Sequence, residues 1–215
     1  MTPELTLHGF FNSSASYRVR IALELKGLKW RHAGVNLRKG EQDAQAFREL
    51  NPSGLVPTLE ASGESLSQSL AIIDLLDRLE PEPRLLPASG PRRERVLEIA
   101  CVVAADIHPL NNLRVLKYLG TTLAATEAQK AAWYAHWIHE GFRGLEALLP
   151  YHDGWCVGST PTLADCCLVP QVANAERMGV DLGAYPRIRR IAARCNAHPA
   201  FQRAAPRVQP DYVAA

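Results

Sequence analysis

The residues best suited to chemistry lie in one turn, Asn12-Ser13-Ser14-Ala15-Ser16. Apolar Leu5, Leu7, Phe10 and Phe11 precede it. Val19, Ile21, Ala22, Leu23 and Leu25 follow at helical spacing, so the turn joins a strand end to a helix start. A helix start presents backbone N–H groups without intrahelical partners and a partial positive charge. Serine hydroxyls there donate further hydrogen bonds. Such a place stabilises an anion, for example a thiolate. A second hydroxyl at a helix start, Ser69 after Gln68, suits a carboxylate. Between the two, Val56-Pro57 opens a short strand. Taken singly, each feature is equally an ordinary helix cap or strand entrance.

Other chemistries lack their residues. The chain has no Gly-rich phosphate loop, no HExxH, no GxSxG and no paired-Cys zinc pattern. Its five cysteines include no CxxC, and reduced thiols are expected. With 24 Lys plus Arg against 22 Asp plus Glu, the formal charge is +2 and no basic stripe stands out, so a nucleic-acid partner is not expected. No apolar run approaches the ~20 residues of a membrane span. The segment Met1 to His8 lacks a basic region and holds Glu4, so a cytoplasmic location without a membrane partner is expected.

The elements that must position the turn alternate over the first eighty residues. Trp30 to Leu37 reads as a second strand and Lys39 to Leu50 as a short irregular helix. Val56 to Glu60 and Glu64 to Leu66 form a hairpin around Ala61-Ser62-Gly63, and an amphipathic helix runs to Leu79. The order is β-α-β-α-β-β-α. Pro81, Pro83, Pro87 and Pro91 then mark a linker. Beyond it Arg92–Leu119, Glu127–Leu149, Leu163–Arg177 and Ile188–Cys195 are all helical patterns. This divides the chain into an α/β domain over 1–82, a linker over 83–90 and an all-α domain over 91–215. Thr162-Leu163-Ala164-Asp165 fits a capping box, which makes Asp165 a folding residue. Pro109 predicts a kink or break in the first long helix. His108, Asn111, Asn112 and Arg114 cluster around it.

The combination is more specific than its parts. The serine turn followed by Arg18-Val19-Arg20-Ile21-Ala22-Leu23, then Asn51-Pro52, Val56-Pro57, Gln68-Ser69-Leu70-Ala71-Ile72-Ile73 and Leu85-Leu86-Pro87, resembles a glutathione transferase. Asp106-Ile107-His108-Pro109-Leu110-Asn111-Asn112-Leu113, the run Ala164 to Ala175 and Gln209-Pro210-Asp211 look like the zeta class. That class contains the maleylacetoacetate isomerases and the related maleylpyruvate isomerases.

The resemblance implies a thioredoxin-like N-terminal domain, an all-α C-terminal domain, glutathione as cofactor and a homodimer. It implies that Ser13 faces the thiol, with Ser14 and Ala15 beside it in the turn. Gln42 would contact the glycine end of glutathione. Val56, before a cis-proline, would pair with the cysteinyl backbone. Gln68 and Ser69 would hold the γ-glutamyl end, and His108 and Asn112 would reach in from the helical domain. Two positions depart from the zeta pattern: Ala15 stands where Cys is usual, and Asn12 where relatives often carry Arg. With no protein thiol in the turn, the glutathione thiolate is the nucleophile. It would add to the cis double bond of a maleyl-type diacid, allow rotation, and leave the trans product by elimination. Arg114 and Arg177 are the candidates for the two substrate carboxylates. Ser13→Ala is expected to cut turnover with folding almost unaffected. A conjugating transferase, a maleylpyruvate isomerase and a non-enzymatic binding module remain open at this point.

Overall fold

The computed structural model describes residues 4–152 and 154–214, so the first three residues of the segment read for a leader lie outside it. The chain forms two compact units, Met1–Leu86 with Asn196–Ala215, and Pro87–Cys195.

The first unit holds a four-stranded sheet of β1 (Leu5–Gly9), β2 (Arg31–Gly34), β3 (Thr58–Ala61) and β4 (Glu64–Ser67), in the order β2-β1-β3-β4. β1 and β2 are parallel, which requires a crossover, and α1 (Ser14–Leu25) supplies it. β3 runs antiparallel to β1, and β4 antiparallel to β3. A 3₁₀ turn at Glu41–Asp43 leads into α2 (Gln45–Leu50), and α3 (Ser69–Leu79) follows β4. Leu5, Leu7, Ile21, Leu23, Leu59, Ile72, Ile73 and Leu76 are buried and make its core.

The Pro-rich stretch read as a linker over 83–90 begins inside this unit. Leu85 and Leu86 are buried, and their N–H groups donate to Asp77 at 2.9 and 2.6 Å. Asp77 is also 2.6 Å from the buried Lys26 ammonium, which donates to the carbonyls of Glu80 and Pro83. A free tether could not bury two leucines and satisfy a charge pair.

The second unit is helical: α4 (Pro91–Cys101), α5 (Leu113–Thr121), α6 (Glu127–Leu148), α7 (Leu163–Arg177) and α8 (Pro186–Asn196). The first long helical pattern breaks near Pro109, as its ring requires. α4 runs into a π-helical turn at Val102–Ile107, closed by the His108 N–H donating to the Val103 carbonyl at 2.9 Å. α5 restarts at Asn112, whose Oδ1 accepts from the Arg114 N–H at 3.1 Å. α6 can lie against the π turn because residue 141 is glycine: a Cβ there would fall 2.2 Å from Ile107 Cγ1. At the start of α7, Asp165 is fully buried and accepts from Thr162 N–H, Thr162 Oγ and Cys156 N–H at 2.8–2.9 Å. Burial pushes its pKa up and these three bonds oppose the shift.

The C-terminal twenty residues correct the expectation of a helical domain running to 215. α9 (Pro199–Ala204) and the segment after it cluster with the first unit. The reason is Arg20, which is fully buried on α1. Its Nε donates to the Ala204 carbonyl at 2.9 Å and its Nη2 to the Phe11 carbonyl at 3.0 Å. Burial lowers its pKa to about 10. Asp211 accepts from the Phe11 N–H at 2.8 Å. Cys101 is exposed, the other four cysteines are buried, and all five are free thiols. Among the described residues no helix is long and apolar enough to cross a membrane.

Candidate active site

Strand register brings most of the expected residues of the first unit to one end of the sheet. His8 of β1 pairs with Thr58 of β3, and Thr58 pairs with Ser67 of β4. The turn that leaves β1, the Val56-Pro57 entrance to β3 and the Gln68-Ser69 exit from β4 therefore share that end. The Val56-Pro57 bond is cis. Gln42 belongs to the same neighbourhood, since its carbonyl lies 3.1 Å from where a Gly54 Cβ would stand.

Ser13 is the N-cap of α1 and half-buried. Its Oγ accepts from the Ser16 N–H at 3.2 Å, and its own N–H donates to the Phe10 carbonyl at 3.0 Å. A hydroxyl that accepts from an N–H keeps its proton for another partner. Ser13 can thus donate to an anion set against the helix start, where the dipole also favours negative charge. Ser14 and Ala15 are buried behind it in the first turn. The turn is held from beneath. Phe10 and Phe11 carbonyls accept from Arg20, and Phe11 N–H is held by Asp211. The Asp211 Oδ1 also stands 2.9 Å from His32 Nε2.

Gln68 has φ +73° and ψ 111°, a conformation that L-residues with side chains rarely adopt. Such strain costs on the order of 1–3 kcal/mol and persists where surrounding structure imposes it. Its side chain is exposed at the N-cap of α3 and makes no capping bond, so it is available to a ligand. Ser69, the next residue, is buried, and its Oγ accepts from Arg18 Nη1 at 3.2 Å. Arg18, 1% exposed, is a residue that sequence reasoning missed as a site residue: a charged side chain on a helix reads as solvent-facing. Gln42 donates through Nε2 to Asp43 at 3.0 Å, while its Oε1 is buried without a partner.

The second unit carries the remaining expected residues. His108 is half-buried at the end of the π turn, Asn112 caps α5, and Arg114 is exposed in the first turn of α5. Arg177 is exposed in the last turn of α7 and donates to Asn174 Oδ1 at 2.9 Å. Tyr134 of α6 links these stretches and was not anticipated. Its carbonyl accepts from Asn111 Nδ2 at 3.1 Å, beside Trp133 Nε1 donating to the Leu110 carbonyl at 2.9 Å. Its buried phenol has a pKa raised to about 12 by burial, against the opposing charge of Arg177.

The family model described as Glutathione S-transferase, N-terminal domain, matches residues 12–79, and that described as Glutathione S-transferase, C-terminal domain, matches residues 124–194. The chain belongs to the glutathione S-transferase family. Like other members, this transferase joins a thioredoxin-like unit to a helical one. It is 46% identical over 214 residues to a maleylacetoacetate isomerase of Pseudomonas aeruginosa, covering 98% of this chain and 100% of that one. A solved maleyl pyruvate isomerase, a bacterial transferase of the zeta class in its holo form, is 48% identical. It superimposes with a TM-score of 0.94 over 97% of this chain and 100% of its own. A maleylacetoacetate isomerase of Anaeromyxobacter dehalogenans 2CP-1, solved with dicarboxyethyl glutathione and citrate in its active site, is 38% identical. Its TM-score is 0.85, over 97% of this transferase and 93% of its own chain.

Proposed function

We propose that this transferase is a glutathione-dependent cis–trans isomerase that converts maleylacetoacetate to fumarylacetoacetate, a step in the breakdown of tyrosine and phenylalanine. The reading rests above all on one conjunction. A hydroxyl with a proton to donate, at the start of α1, shares a sheet end with the strained Gln68 and the Arg18-backed Ser69. The residues present fit glutathione: an exposed amide at Gln68 and a hydroxyl at Ser69 for its γ-glutamyl end, and the unpartnered Oε1 of Gln42 as an acceptor.

When bound, glutathione supplies a thiolate that adds reversibly to the cis double bond and leaves a single bond free to rotate. Ser13 Oγ donates to the sulfur and, with the α1 start, lowers the thiol pKa from its free value of ~8.5. Ser14 stands in the same turn. Val56 offers backbone hydrogen bonds to the cysteinyl unit. His108 and Asn112 contribute polar contacts from the helical unit. Arg114 and Arg177 bind the two substrate carboxylates, and the buried Tyr134 phenol, neutral across the working pH range, lies close to the Arg177 charge. A two-fold homodimer in the cytoplasm completes the reading.

Maleylpyruvate is the second candidate substrate, favoured by the close likeness to the solved maleyl pyruvate isomerase. Steady-state kinetics with each diacid at saturating glutathione decide between them. A kcat/KM higher for maleylacetoacetate supports the proposal, and one higher for maleylpyruvate assigns the second substrate. No glutathione-dependent isomerisation of either overturns both readings.

A further inference from the structure

The serine turn takes one of its supports from the far end of the chain. Ser13 follows Phe10 and Phe11, whose backbone polar groups are all held. Phe10 N–H donates to Ser16 Oγ at 3.4 Å, and the Phe10 carbonyl accepts from Ser13 N–H at 3.0 Å and from Arg20 Nη1 at 3.4 Å. The Phe11 carbonyl accepts from Arg20 Nη2 at 3.0 Å. These partners belong to α1 or its N-cap. Phe11 N–H differs: it donates to Asp211 Oδ2 at 2.8 Å, across 200 positions of sequence.

Asp211 is itself fixed. Gln209-Pro210-Asp211-Tyr212 is a turn closed by Tyr212 N–H donating to the Gln209 carbonyl at 3.0 Å, with proline at the second position, where its φ is favoured. Gln209 is buried, and its Nε2 donates to the Arg203 and Ala205 carbonyls at 3.1 and 3.0 Å. Asp211 packs on β2, its Cβ 3.3 Å from where a Gly34 Cβ would stand, and its Oδ1 is 2.9 Å from His32 Nε2. The Tyr212 ring lies nearly perpendicular to Phe11, with centroids 5.3 Å apart.

Docking of the tail does not account for the Asp211 bond. Arg20 and Tyr17 already donate to the Ala204 and Phe201 carbonyls at 2.9 and 3.4 Å, and Arg203 pairs with Glu24 at 2.7 Å. What Asp211 adds is the orientation of the Phe11 peptide, two residues before Ser13. A carboxylate near a place meant for an anion is unfavourable by itself, but the buried Arg20 guanidinium holds the same peptide and opposes that charge. The charge in return makes the bond to Phe11 N–H about twice as strong as a neutral one. Given Ser13 as the donor to the glutathione thiolate, we propose that Asp211 is a positioning residue for it: its carboxylate holds the Phe11 peptide so that Ser13 Oγ meets the sulfur. Without Asp211 the Phe11 N–H must turn toward water for a partner, and Ser13 moves with it.

The test measures the thiol pKa of bound glutathione, from the ultraviolet absorbance of its thiolate across pH, beside steady-state kinetics. Asp211→Ala should raise that pKa toward the ~8.5 of a free thiol. Turnover should fall by between about tenfold and the ~10²-fold of losing the Ser13 hydroxyl itself. KM for glutathione should stay within about twofold, because Val56, Gln68 and Ser69 are untouched. Asp211→Asn keeps an acceptor at the same reach and should recover most of both losses. In a Ser13→Ala background, Asp211→Ala should cost little further turnover, since the group it positions is gone. Arg203→Ala breaks the tail's pairing with Glu24 and should leave the thiol pKa at the parent value. Should Asp211→Ala fail to fold, Asp211→Glu, which keeps the charge and displaces the oxygens, carries the same test. The proposal is overturned if Asp211→Ala leaves the thiol pKa unchanged while Ser13→Ala raises it, if the two losses of turnover multiply in full, or if Arg203→Ala shifts the pKa as far. A thiol pKa that Ser13→Ala does not move overturns the role of Ser13 as well.

Discussion

Arg18 Nη1 donates to Ser69 Oγ at 3.2 Å, deep between α1 and α3. Arginine has no acceptor, so this bond uses a lone pair of the hydroxyl and leaves its proton directed elsewhere. A buried cation behind a hydroxyl at a helix start polarises that proton toward an incoming carboxylate. Ser69→Ala should therefore raise KM for glutathione by about 10- to 150-fold, the worth of one charge-assisted bond, with KM for the diacid within about twofold. Varying each co-substrate in turn checks it. An unchanged glutathione KM would remove Ser69 from the γ-glutamyl subsite.

The cap on Ser16 and the proposed donation to the thiolate are two tasks of Ser13 that substitution can separate. Ser13→Ala removes both the donor to the thiolate and the cap on Ser16, so turnover should fall ~10²-fold and stability by about 1 kcal/mol. The expectation of almost no folding cost weighs only the donor to the thiolate, whereas the bond from the Ser16 N–H adds the loss of a cap. Ser13→Gly restores most of the capping free energy, since glycine is tolerated at N-caps. Its melting temperature should return toward the parent while turnover stays low. Recovery of turnover in Ser13→Gly would mean that the hydroxyl does no chemistry.

Gln68 holds a strained backbone at the proposed γ-glutamyl subsite. Gln68→Gly relieves strain of about 1–3 kcal/mol and costs about 0.5–1 kcal/mol in chain entropy. The net gain, roughly 0–2 kcal/mol, should raise the melting temperature by up to about 8 °C for a chain of this size. The same variant should bind glutathione more weakly. Thermal melts and glutathione titration on one preparation test both halves, and a lower melting temperature would contradict the strain argument.

Much of this architecture is legible in the sequence, for physical reasons. The alternation of strand and helix over the first eighty residues follows from apolar periodicity, and the break at Pro109 from a missing N–H. The capping box at Thr162 and Asp165 forms as expected, with the Asp165 carboxylate accepting from the Thr162 N–H. What periodicity conceals is the buried charge. Arg18 and Arg20 fall on α1 among residues that read as solvated, yet both are buried, because their partners are a hydroxyl 51 positions away and carbonyls at Phe11 and Ala204. For the same reason the tail escaped assignment. α9 is six residues long and shows no helical period, and its segment is tied to the first unit by bonds across long sequence distances: Arg20 and Tyr17 donate to the Ala204 and Phe201 carbonyls, Arg203 donates to Glu24, and Asp211 accepts from the Phe11 N–H. Arg114 and Arg177, proposed for the substrate carboxylates, stand out in the sequence by their positions near a helix break and a helix end, whereas Tyr134 sits in a pattern that reads as core.

Arg114 and Arg177 should affect the diacid and spare glutathione. Each alanine variant should raise KM for the diacid by about 10- to 150-fold. Tyr134→Phe keeps the ring and removes the phenol beside the Arg177 charge, so it should move KM for the diacid by less than either arginine loss. An Arg114→Ala enzyme with normal diacid KM and weakened glutathione binding would put this arginine in the other subsite.

The pair His32 and Asp211 gives the last prediction, a pH dependence of stability. Burial is the main cause that lowers the His32 pKa below 6.5, with Asp211 opposing and Arg20 and His8 adding to the shift. The folded protein therefore holds this imidazole neutral where the unfolded chain has begun to protonate it. Unfolded chains then bind more protons, and stability falls as pH drops from the unfolded pKa toward the depressed folded one. Above ~6.5 both states are neutral at this site and the dependence vanishes. Replacing the group with His32→Asn should flatten the fall in melting temperature just below that pH. It should leave the lower-pH loss from carboxylates in place. Thermal melts of parent and variant across pH 5 to 8 measure it, and parallel curves for the two proteins would show that His32 is not the group responsible.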